Sequence, residues 1–154
     1  MEKIESSHAF FTMMKRAGGP MFPLETRILV IDDMPSIRDL VKNHLKVMGY
    51  KNILEAGDGE QGHKVLIQQH TAALPVQLVI SDWNMPILNG LDLLKMLRKT
   101  TEWQSLPFVI LTSEAEREQV TEAILAGVSQ YVVKPFAGKI FEDKLKAAWQ
   151  KHNK

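Results

Sequence analysis

From residue 27 onward, short runs of apolar and β-branched residues alternate with longer stretches whose apolar positions fall three and four apart. The runs are Ile28–Ile31, Ile53–Ala56, Leu78-Val79-Ile80, Phe108-Val109-Ile110-Leu111 and Tyr131-Val132-Val133. Most are apolar throughout, as strands covered on both faces are. After the first run, Ile37, Leu40, Val41, His44, Leu45 and Met48 form one helical stripe, with Pro35 at its first position and Gly49 as its stop. Residues 59–69 predict a second helix, weakened by Gly62, and Leu91, Leu94, Met96 and Leu97 mark a third. Val120, Ile124 and Leu125, with Gly127 behind them, mark a fourth, and Phe141, Leu145, Ala148 and Trp149 a fifth. Five strand–helix repeats predict an α/β fold around a parallel sheet.

The start of the chain lacks this pattern. Gly18-Gly19-Pro20 and Pro23 punctuate it without any sustained period, so the domain is expected at 24–154, with 1–23 as a flexible extension. A length of 154 residues with 45% hydrophobic and 24% charged content suits one globular domain with a real core. Nineteen Lys and Arg against eighteen Asp and Glu give no field that draws the protein to nucleic acid or an anionic membrane, and neither partner is expected. The absence of cysteine excludes disulfides, zinc–thiolate sites and a thiol nucleophile, and suits a cytoplasmic protein. The apolar stretch 9–14 is too short to span a bilayer and is followed, not preceded, by Lys15 and Arg16, the wrong order for a secretory signal.

In an open parallel sheet, ligands bind beyond the carboxyl ends of the strands. There this sequence places Asp32-Asp33, Ser81-Asp82-Trp83-Asn84-Met85-Pro86, Thr112-Ser113-Glu114 and Lys134-Pro135-Phe136. Taken singly, each has an ordinary explanation: Asp33 and Thr112 can cap the helices that follow, and Lys134 can be a solvated loop residue. Together they bring three carboxylates, a hydroxyl and an ammonium to one edge. Three like charges a few ångströms apart cost on the order of several kcal/mol unless a cation sits among them. Oxygen donors without Cys or His favour Mg²⁺ over zinc. With the metal on two carboxylates, Asp82 can accept a phosphoryl group. Mg²⁺ and Lys134 would then neutralise the phosphoryl oxygens, and Thr112 would donate a hydrogen bond to one of them. No Gly-rich phosphate loop is present, so a bound nucleotide donor is not indicated.

In this order, and with Asn89-Gly90-Leu91, these motifs resemble the receiver domain of two-component response regulators, in particular its single-domain chemotaxis members. The likeness spans nearly all of 24–154. It implies a flavodoxin-like doubly wound fold, (βα)5, with a five-stranded parallel sheet in the order 2-1-3-4-5, and a cis bond between Lys134 and Pro135. It further implies that Asp82 is the phosphoacceptor and that Asp33, Asp82 and the Asn84 carbonyl bind Mg²⁺, Asp32 supporting through water. Thr112 and Lys134 would read the phosphoryl group. Tyr131 takes the place of an aromatic switch that turns inward as Thr112 moves; unswitched, it would be a half-buried strand tyrosine. Trp83 would stand at the mouth of the site, and Asn84 and Glu114 would tune hydrolysis by placing water behind the phosphorus.

The function expected is a stand-alone regulator, phosphorylated on Asp82 by a histidine kinase and acting by partner binding, with the flagellar motor switch as target and an auxiliary phosphatase as a possible third partner. It would not be a turnover enzyme. A phosphorelay intermediate or a non-motor regulator is the alternative within the family. A Mg²⁺-dependent phosphatase of the haloacid dehalogenase kind would need Asp-x-Asp after the first strand, where Asp32-Asp33-Met34 stands. A flavin binder would need a Gly- and hydroxyl-rich loop at the same place.

Overall fold

In the computed structural model, which describes residues 21–113 and 117–153, every residue of β1 (Ile28–Ile31) is buried. The strand lies inside the sheet, hydrogen-bonded on one side to β2 (Ile53–Ala56) and on the other to β3 (Leu78–Asp82), both parallel to it. β4 (Phe108–Thr112) and β5 (Gln130–Val133) follow, giving five parallel strands in the order 2-1-3-4-5. Strands alternate their side chains between two cores. Ile28 and Val30 face one with Ile80, Val109, Leu111 and Val132, while Leu29 and Ile31 face the other with Val79, Phe108 and Ile110. Each such side chain contributes roughly 1.5–3 kcal/mol on burial, and this two-sided demand is why the strand runs carry almost no polar residue.

Helices cover both faces. α1 (Pro35–Val47) and α5 (Gly138–His152) cover the first through Val41, Leu45, Phe141, Leu145 and Ala148. α2 (Gly59–Thr71), α3 (Gly90–Arg98) and α4 (Arg117–Leu125) cover the second through Leu66, Leu93, Leu94, Leu97 and Ala123. Asp58 caps α2 by accepting from the Gln61 amide, and Gln61 returns a bond to the Gly57 amide. Gly62, the apparent weakness of α2, permits a close approach: a Cβ there would lie 2.5 Å from Ile31 Cδ1.

Three details differ from the sequence pattern. Ile124 and Leu125, two of the three residues that marked α4, are exposed, and Ala123 is the buried one; this short helix meets the sheet through a small side chain. Leu40 of the α1 stripe is exposed as well. Met21 and Phe22, assigned to the extension, are buried in the first core, where the Tyr50 hydroxyl donates to the Phe22 carbonyl at 2.7 Å and Phe22 meets Trp149 edge-on at 5.1 Å. Packing therefore begins at least three residues before the boundary at 24. Residues 1–20, the rest of the expected extension, lie outside the described residues.

Candidate functional site

Asp32 directly follows β1, Asp82 and Thr112 are the last residues of β3 and β4, and Lys134 follows β5, so four adjacent strand ends deliver them to one edge of the sheet. One carboxylate oxygen each from Asp32, Asp33 and Asp82 lies within 4.8 Å of the others. Lys134 bridges two of these acids: its Nζ donates to Asp32 Oδ2 and to Asp82 Oδ1, both at 3.1 Å. The lysine is set by backbone, since its amide donates to the Thr112 carbonyl at 2.7 Å; the bond to Pro135 is cis, as the resemblance implied.

The three acids sit in different surroundings. Asp32 is 1% exposed, and its Oδ1 accepts from the Met34 amide at 2.9 Å. Asp33 is exposed and makes no hydrogen bond or ion pair among the described residues. It does not cap α1, whose N-cap is Met34 with no side-chain bond, so the capping explanation of Asp33 falls away and its carboxylate remains open to a ligand. Thr112 is the last residue of β4 and is buried. Asp82 Oδ1 accepts from the Trp83 amide at 2.9 Å and from Lys134 at 3.1 Å. Burial pushes the Asp82 carboxyl above its ordinary range, the Asp32 charge pushes further, and Lys134 opposes both.

One ammonium against three carboxylates leaves an excess of two negative charges, which a divalent cation would neutralise. The donors are all oxygen and Asp33 is uncommitted; this set fits Mg²⁺. Close packing behind Asp82 fixes it in place. Gly90 donates its amide to the Trp83 carbonyl at 2.9 Å, and a Cβ at Gly90 would collide with the Asp82 carbonyl oxygen.

The other expected residues take varied positions. Trp83 is half-buried against the second core, and Asn84 is exposed two residues past Asp82. Tyr131 pairs with Ile110 and Val133 with Thr112, which sets Tyr131 on the same sheet face as Thr112, two pairs along the ladder. The Tyr131 ring is half-buried, with Lys144 Nζ 4.6 Å from its centroid. Glu114 lies outside the described residues.

Sequence reasoning missed a support beneath the site. Arg38 donates Nη1 to the Asp32 backbone carbonyl at 2.6 Å and Nε to Glu55 at 3.1 Å, and Lys42 also pairs with Glu55 at 2.8 Å. Those cations, Lys42 first, hold the Glu55 carboxyl below its ordinary range. The available signal was Glu55 itself, a single charge in an otherwise apolar strand run.

Comparison with known proteins decides the family. The response regulator receiver domain profile matches residues 28–146, most of the chain. This chain is a response regulator receiver domain. The receiver is 41% identical over 125 residues to the chemotaxis protein CheY-3 of Vibrio cholerae, covering 77% of this chain and 88% of that protein. It is 36% identical over 133 residues to the chemotaxis protein CheY of Pseudomonas aeruginosa, covering 82% and 98%. The solved structure of Vibrio cholerae CheY4 superposes with a TM-score of 0.70 at 29% identity, covering 80% of this chain and 98% of that one. These three relatives are chemotaxis proteins, and the solved one shares the fold described above. Among the described residues no helix is long and apolar enough to cross a membrane.

Proposed function

We propose that this receiver works as a chemotaxis response regulator whose Asp82 accepts a phosphoryl group from a phosphohistidine of its kinase. The observation that carries the proposal is the Lys134 ammonium bridging Asp32 and Asp82 beside the uncommitted Asp33. Asp82 Oδ2 attacks phosphorus as the phosphorus–nitrogen bond breaks, and the electron pair returns to the imidazole. Asp33, Asp82 and the Asn84 carbonyl would hold Mg²⁺, with Asp32 supporting it through water; the ion's contribution is to neutralise charge on the phosphoryl oxygens. Lys134 shifts from its carboxylates to a phosphoryl oxygen, and the Thr112 hydroxyl donates to another.

Thr112 and Tyr131 share a sheet face, so movement of Thr112 toward the phosphoryl group opens space for the Tyr131 ring to turn inward and changes the surface between α4 and α5. The partner that reads this change is the flagellar motor switch, and Asn84 and Glu114 set how fast water removes the signal. No substrate is turned over; the phosphorylated chain is itself the product.

The test is intact-mass measurement after incubation with Mg²⁺ and acetyl phosphate, which transfers its phosphoryl group with loss of acetate. The wild type gains one phosphoryl group and Asp82→Asn gains none. Equal labelling of the two proteins would overturn the assignment.

A further inference from the structure

A groove of about 390 Å³ lies between α3 and α4, lined by Lys95, Arg98, Lys99, Glu122, Leu125 and Ala126. Single exposed leucines are ordinary, but Leu125, 82% exposed, forms the apolar wall of a cleft whose opposite wall is cationic. Three lysines on other helices are paired with acids: Lys42 with Glu55 and Asp39, Lys64 with Glu60, and Lys139 with Asp143. Lys95 and Lys99 have no acidic partner among the described residues and stand exposed one helical turn apart. Arg98 between them is fixed, its guanidinium donating to the Gly127 carbonyl at 2.9 and 3.1 Å and to the Trp103 carbonyl at 3.0 Å. It supplies standing positive charge to the floor and ties α3 to the turn after α4.

Complementarity selects the occupant. Lys95 and Lys99 are separated by about 6 Å along the α3 axis, the spacing of two carboxylates four residues apart on a facing helix. Leu125 and Ala126 offer an apolar seat beside them. A second copy of this chain is a poor match, because a lining with three cations and one anion would meet itself with like charges. We propose that the groove between α3 and α4 docks an acidic amphipathic helix of a partner protein. The proposal rests on the groove alone and is independent of the chemistry at Asp82.

The probe is a synthetic helical peptide with glutamates four residues apart flanking leucines, titrated into isotopically labelled protein and followed by amide chemical shifts. The expected result is shifts confined to residues 95–99 and 122–126, with affinity falling as salt is added. Reversing both charges, Lys95→Glu with Lys99→Glu, should weaken binding by about tenfold or more and transfer the preference to a lysine-substituted peptide. Leu125→Ser should weaken binding of the acidic peptide without moving that charge preference, and Asp82→Asn should bind as the wild type does. All three groove positions are exposed, so unchanged melting curves are expected beside these losses. Absence of binding, shifts centred elsewhere, or indifference to charge reversal would overturn the proposal. Tighter capture by anionic vesicles or a duplex oligonucleotide, or self-association through this face, would overturn it in favour of another occupant.

Discussion

The two ends of the sheet are built on opposite principles. At the amino end, Met21 and Phe22 fold under the strands and are closed off by Tyr50 and Trp149, with the Tyr50 hydroxyl given a carbonyl to bond. At the carboxyl end, three acids share a few ångströms with one ammonium, and Asp82 holds its proton more tightly than an ordinary aspartate. One end stabilises the fold and the other loads it with repulsion. The lesson is that a signalling site can be kept strained without a ligand, provided the strain sits where backbone and core are already fixed from the other side.

That contrast can be broken most severely at the amino end. Phe22→Ala should cost about 3–5 kcal/mol of stability, since it empties a buried aromatic site against Trp149. Chemical denaturation measures the loss, and below the melting transition phosphoryl labelling from acetyl phosphate should be kept. A labelling defect in the folded variant would show that the two ends are not separable.

The next largest effect should come from metal. Mg²⁺ at a hundredfold its dissociation constant should raise stability by about 2.7 kcal/mol, read as a shift in melting temperature, and Asp33→Ala should remove most of the gain. A melting temperature indifferent to Mg²⁺ would place the ion elsewhere.

The smallest effect sharpens the electrostatic side. With metal chelated, Asp82→Asn should stabilise the protein by about 1 kcal/mol at neutral pH, because it removes a buried charge that is also one member of a like-charge cluster. The sign follows from linkage: the folded carboxyl is raised above its unfolded value, so its ionised form costs stability above that raised pKa. As pH falls from there toward the unfolded value, the wild type regains what it lost and the difference from Asp82→Asn narrows. Equilibrium unfolding of the pair across pH measures this, and a difference that widens with acid would contradict the raised pKa.

Much of this architecture was legible in the chain because the physics is local. Strands buried on both faces must be apolar throughout, as β1 is, and Asp32-Asp33 directly after such a run stand where ligands bind. α4 was read correctly as a helix but with the wrong buried face, because its contact with the sheet uses Ala123 and its large residues point outward. Met21 and Phe22 gave no warning, since two apolar residues next to prolines carry no period and their burial depends on residues far along the chain. The bonds from Arg38 to the Asp32 carbonyl and to Glu55 are likewise tertiary, joining α1 to the end of β1 and to β2.

The contact between Phe22 and Trp149 also bears on how the protein is made. It joins a residue that precedes β1 to one in α5, so the core on the α1 and α5 side cannot close until α5 has been synthesised. β1 meets the same delay on a smaller scale, because it can pair with β2 soon after synthesis but must wait through α2 for β3 to fill its other edge. During that interval one side of an apolar strand is open, and a nascent chain stalled before α5 would present Met21 and Phe22 to the folding machinery of the cell.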